Sequence, residues 1–170
     1  MLKKLFPKKK LSDIYSNYEK NLRQGKDFFE GISLNRKKYK TQVLKLFREA
    51  IENKDNDKLT FCITVCFYDG TDNEYIDVFE EIILAEWHEE HENIVDIVRG
   101  FKDDRFTEPL KEIVVKEEIY RKYDDENEPT LRKCVHALKA INSPKSNQII
   151  KELINSRNEN VRYALENYKD

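Results

Sequence analysis

Between Leu131 and Tyr168 the chain reads LRKCVHALKAINSPKSNQIIKELINSRNENVRYALENY, and this stretch decides the fold. Leu131-Arg132 and Val161-Arg162 stand 30 residues apart, and each pair opens an apolar run that carries an Ala-Leu step, Ala137-Leu138 in one and Ala164-Leu165 in the other. A second match lies at an offset of 40: Gly100-Phe101-Lys102-Asp103-Asp104-Arg105 through Leu110-Lys111-Glu112-Ile113-Val114 aligns with Ala140-Ile141-Asn142-Ser143-Pro144-Lys145 through Ile150-Lys151-Glu152-Leu153-Ile154. The two offsets differ by ten, the length of Tyr120 to Pro129, YRKYDDENEP, whose acidic and turn-prone composition reads as an insertion between repeats. Each unit is then a helix, a tight turn, a second helix and a link. Such pairs cannot bury their apolar faces alone, so neighbours must stack.

Outward from this stretch, the 3.6-residue periodicity predicts helices over 11–23, 36–53, 57–69, 73–87, 90–101, 105–122, 129–141, 145–155 and 159–168. Gly70 and Gly100 fall after apolar runs as stops, Pro129 and Pro144 fall near helix starts, and Pro109 belongs to a first turn, where its missing N–H costs little. Residues 59–67, LTFCITVCF, alternate like a strand. They also place Leu59, Cys62, Ile63 and Cys66 on one helical face, and no second strand candidate exists to pair with them, so a buried helix is expected.

Composition agrees. Of 170 residues, 31 are Lys or Arg and 33 Asp or Glu, while Gly and Pro number four each, too few for the turns of a barrel or sandwich. The expectation is one all-α domain over 1–170, a right-handed superhelix of four to five helix pairs. No apolar run approaches the ~18 residues of a membrane span. Met1 to Lys10 carries five lysines but no apolar core of a secretory signal, so cytoplasmic residence is expected. Cys62, Cys66 and Cys134, an odd set without a CxxC pair, read as reduced buried thiols.

Residues 129–168 resemble the short bacterial HEAT repeat of the phycobilisome-lyase type, with Arg132 and Arg162 at the repeat's Arg and Asn142-Ser143-Pro144 where the family usually has Gly-Asp-Pro. Glu86-Trp87-His88-Glu89-Glu90-His91-Glu92-Asn93-Ile94-Val95, Phe101-Lys102-Asp103-Asp104, Tyr123-Asp124-Asp125 and Leu131-Arg132-Lys133-Cys134 look like small bacterial HEAT-like proteins encoded beside polymorphic or contact-dependent toxins. That resemblance implies an immunity protein. His136 stands where those relatives tend to have Trp.

Charge adds a direction. Residues 51–128 hold 9 basic and 24 acidic side chains, a net of −15, between basic ends of +9 and +4. An acidic middle repels a phosphate backbone and attracts a basic protein, so the expected partner is a basic protein, with no nucleic acid and no membrane; the resemblance implies that this protein is a toxin domain, such as a nuclease. The chain is expected to be a monomer or weak dimer. Its binding residues are expected to be the acidic segment with Asp69, Asp72, Glu74, Asp77, Glu80 and Glu81, converging with Tyr123, Asp124 and Asp125 on the exposed insertion, together with Trp87, His88 and His91. The spacing of His88 and His91 puts both rings on one helix face, but it is not the HExxH of zinc proteases, and histidines at a Glu-rich helix start are ordinarily packing or hydrogen-bonding residues. No metal or cofactor is expected. The sequence contains no P-loop, GxGxxG or GxSxG, so a non-enzymatic role is expected; a HEAT-like DNA glycosylase or bilin lyase is the alternative from fold analogy, and a general scaffold the alternative within the binding class.

Overall fold

The computed structural model describes residues 13, 15–18, 20, 40–155 and 157–167, and all regular structure among them is helical. Helix α1 (Lys40–Asn53) buries Val43, Phe47 and Ala50 at spacings of four and three. Helix α2 (Asn56–Asp69) starts where the Asp55 carboxylate accepts the Lys58 N–H and ends at Gly70, whose φ of 77° is open to glycine. Residues 59–67 lie inside it, as expected. Their strand-like alternation has a physical origin, because α2 is buried on most sides: Leu59, Phe61, Cys62, Ile63, Val65 and Cys66 are all covered. Tyr15 and Tyr18 set their rings edge-on to Phe61, at 5.1 and 5.0 Å. The rest of the helix expected over 11–23 lies largely outside the described residues.

Two long helices anticipated from the periodicity are broken. In place of 73–87 there is a 3-10 turn (Asn73–Tyr75) and then α3 (Ile76–Ile82), after which the chain turns. The Ile82 carbonyl accepts the Ala85 N–H and the His88 ring N–H, so it is withdrawn from the helical ladder. In place of 105–122 there is a 3-10 turn (Asp104–Phe106), α5 (Thr107–Val115) and the single turn α6 (Glu117–Tyr120). Arg121 makes that break: its Nε and Nη2 donate to the Ile113 and Val114 carbonyls, acceptors that a continuing helix would have used. Helices α4 (His91–Phe101), α7 (Pro129–Ile141), α8 (Pro144–Ile154) and α9 (Glu159–Glu166) begin and end close to expectation. Gly100 is not a stop. It sits within α4, and the reversal falls on Lys102, which takes the left-handed conformation at φ 53°, ψ 33°.

Asn142 adopts the same φ and ψ as Lys102, 40 residues later. Each is followed by a helix cap, Asp103 accepting the Arg105 N–H and Ser143 accepting the Ser146 N–H in a reciprocal capping box. The backbone therefore repeats where the sequence does. A related cap, without a left-handed residue directly before it, lies 31 residues before Asp103: Asp72 accepts the Glu74 N–H, and Tyr75, Phe79 and Ile82 are buried like Phe106, Leu110 and Ile113. Helix α1 packs on α2; α2 and α3 pack on α4; α4 and α5 pack on α7; and α9 packs on α7 and α8. The buried apolar side chains form one continuous core from Tyr18 to Ala164.

Candidate functional site

A small cleft of about 60 Å3 opens between the start of α4 and the segment joining α6 to α7. It is lined by His88, His91, Tyr120, Tyr123, Asp124 and Thr130, among others. Four of the expected binding residues, His88, His91, Tyr123 and Asp124, therefore meet here, with Trp87 packed behind them.

The floor is built by Arg121, a residue that neither the repeat pattern nor the charge balance singles out. Its guanidinium is buried, donates to the two α5 carbonyls, and pairs with Glu128 at 2.7 Å and with Glu117 at 3.5 Å. Glu117, Asp124 and Glu128 stand four before, three after and seven after it, a spacing that was readable beforehand. Burial alone would raise the Glu128 carboxyl, but hydrogen bonds from Asn158, Arg121 and Asn160 outweigh it and hold the group below its ordinary range. Asp124 corrects an expectation. Its side chain is 7% exposed and accepts from the Thr130 hydroxyl (2.6 Å), the Thr130 N–H (3.3 Å) and the Leu131 N–H (3.4 Å), so it caps the first turn of α7 rather than facing a partner. Asp125 is exposed, and it caps the turn at Asn127.

The wall is two imidazoles. His88 is 2% exposed; its Nε2–H donates to the Ile82 carbonyl (2.8 Å) and its Nδ1 accepts the Glu90 N–H (3.2 Å), which fixes one neutral tautomer. Trp87 meets this ring edge-on at 5.0 Å, half-buried against the core. His91, the first residue of α4, is 4% exposed, with its ring 4.5 Å from His88 and 5.1 Å from Tyr120. Its Nε2 is sealed from solvent and has no hydrogen-bond partner. Burial, then the neighbouring His88 and Lys122, bring His91 down from the ordinary 6.5 to about 4, against a hydrogen bond to Ala85. Burial also lowers His88, opposed by the Ile82 carbonyl and Glu90. Among the described residues no group of three or more His, Cys, Asp or Glu side chains is arranged to hold a metal.

The lip is Tyr123. Its ring is 65% exposed, its hydroxyl donates to Glu89, and the Lys122 ammonium rests over its face at 4.7 Å.

The acidic set running from the end of α2 through α3 is elsewhere and shares no residue with the cleft. Asp69 is buried at the end of α2. Asp72 and Glu74 both bind Lys40, Glu81 binds Arg48, and Asp77 and Glu80 bind Arg105. These carboxylates tie α3 to α1 on one side and to the start of α5 on the other. Cys62, Cys66 and Cys134 are free and buried, and burial pushes each thiol well up. Among the described residues no helix is long and apolar enough to cross a membrane. Comparison of the chain with protein-family models, with curated proteins and with solved structures finds no match in any of the three.

Proposed function

We propose that the protein is a non-enzymatic protein-binding module, a HEAT-like right-handed stack of helix pairs that holds a basic protein domain, in the sharper form an immunity protein that neutralises a bacterial toxin domain. The observation that supports it is Tyr123: an exposed aromatic side chain on a segment anchored underneath by the bonds of Arg121 and Asp124. A rigid aromatic anchor loses little conformational entropy on binding, and such side chains dominate interface energetics. Asp125 and Glu126 stand exposed beside it and offer charge-assisted bonds to Lys or Arg. The net of −15 over residues 51–128 steers a basic partner toward this half of the chain.

The test is calorimetric titration with the purified product of the reading frame next to this gene, inactivated at its own catalytic residues where it is a toxin. A one-to-one complex that weakens with salt is expected. Tyr123→Ala should weaken it about tenfold or more while leaving the melting temperature in place. Unchanged affinity in Tyr123→Ala and Asp125→Lys would remove this surface from the interface, and failure of any basic neighbour to bind would overturn the reading.

A further inference from the structure

We propose that His88 and His91 form a proton-operated latch: as neutral rings they hold the 83–90 link against the 119–124 segment, and protonation parts the two and loosens the segment that carries Tyr123. The latch itself is a property of the free chain; only its consequence for a partner rests on the binding reading above.

The geometry leaves a second proton nowhere to go. His88 closes the link at both ends, donating from Nε2 to Ile82 and accepting from Glu90 at Nδ1. A proton taken from solvent onto Nδ1 turns that acceptor into a donor facing the Glu90 N–H. At His91 the open position is Nε2, sealed and without an acceptor, at the positive end of an 11-residue helix, 4.5 Å from the other ring and in the field of Lys122. Glu86, exposed on the link, acts on Tyr120 without an ion pair, and the other carboxylates around the pair are already committed. Glu89 accepts from the Tyr123 hydroxyl, Glu90 from Thr60 and Asn93, Glu92 binds Lys133, and Asp124 caps α7. From the facing segment the rings meet Tyr120, whose hydroxyl is turned to Glu112, and the cations Arg121 and Lys122. A protonated pair is relieved by swinging His91 out to water, where it competes with Tyr123 for Glu89 and with Lys133 for Glu92. That movement breaks its contact with Tyr120 and draws Glu89 from the Tyr123 hydroxyl, the hydrogen bond that also joins the link to the 119–124 segment. The sealed Nε2 also means that the closed cleft presents no free imidazole nitrogen of His91 to a ligand.

Trp87 supplies the reporter, since the chain has one tryptophan and its ring lies against His88. Its emission and the hydrogen exchange of residues 83–90 and 119–124, corrected for the intrinsic pH dependence, are followed on the full chain from pH 7.5 to 4.5. Exchange in both segments should rise about tenfold between pH 7 and pH 5 while helical circular dichroism is retained, with Trp87 quenched in parallel. His91→Phe keeps a ring and removes the proton site, so the exchange response should be reduced. If that variant does not fold, nuclear magnetic resonance titration of the two imidazoles in the unaltered chain decides: both must titrate with the opening. Unchanged exchange down to pH 5, or an undiminished response in His91→Phe, overturns the latch whether or not any partner binds.

Discussion

Replacing Asp124 with Ala strips three acceptor contacts from the start of α7 and takes one carboxylate from beside the buried Arg121. The expected loss is about 2–4 kcal/mol, a fall in melting temperature on the order of 10 °C for a chain of this size. Asp125→Lys, at an exposed position, should stay within about 0.5 kcal/mol; thermal melts of the two variants check the contrast. The adjacent aspartates have identical side chains and opposite fates, because only one of them reaches forward to Thr130. A second residue-scale prediction follows from His91. Its value is about 4 in the fold against an ordinary 6.5, so the stability it protects is fully present above pH 6.5 and is lost progressively as pH falls toward 4, with no further loss from this group below that. The total is on the order of 3 kcal/mol, read from urea melts at pH 7.5, 5.5 and 4.5, and it should largely vanish in His91→Phe. Sequence spacing nominated both histidines, both aspartates and Tyr123. It did not reveal which are buried, because burial depends on Arg121 drawing α5, α6 and the loop together.

Helix ends offer a sharper comparison. Gly100 lies inside α4, and a Cβ built there meets nothing within 4 Å, so Gly100→Ala should stabilise the chain by about 0.5–1 kcal/mol. Lys102 holds the left-handed position that glycine prefers, and Lys102→Gly should also stabilise, by up to about 1 kcal/mol. Chemical denaturation of each variant measures both. The sequence marked the right neighbourhood for this turn and the wrong residue, since a glycine signals freedom of backbone without stating that the freedom is used. Helices α2, α4, α7 and α8 were readable because their signals are local: a capping side chain, a proline at the first turn, an apolar stripe. The breaks after α3 and α5 were not, since they come from His88 and Arg121, six to eight residues downstream, taking carbonyls that periodicity assigns to the helix itself.

For the molecule as a whole, charge counted along the chain and charge displayed on its surface are different quantities. The excess of acids over residues 51–128 was plain from the sequence, but Lys40, Arg48 and Arg105 come from neighbouring elements to meet five of those carboxylates. Exposed pairs of this kind contribute about 0–1 kcal/mol each. Raising ionic strength from 0.05 to about 0.5 M, where the screening length falls to a few ångströms, should therefore move the melting temperature by only a few degrees while reducing partner affinity at least tenfold. Equal sensitivity of both would place the working charge in the fold rather than at the interface. The buried thiols carry a separate consequence. Cys62 and Cys66 sit in α2 and Cys134 in α7, so an alkylating reagent reaches the two sites only when the helix that shelters each has come away. The chain thus contains two clocks, and mass spectrometry reads them without any added label on the native state. If the core opens as one unit, molecules carrying all three adducts accumulate directly from unmodified ones; if the amino-terminal helices detach first, a doubly modified species precedes them and its lifetime dates the second opening.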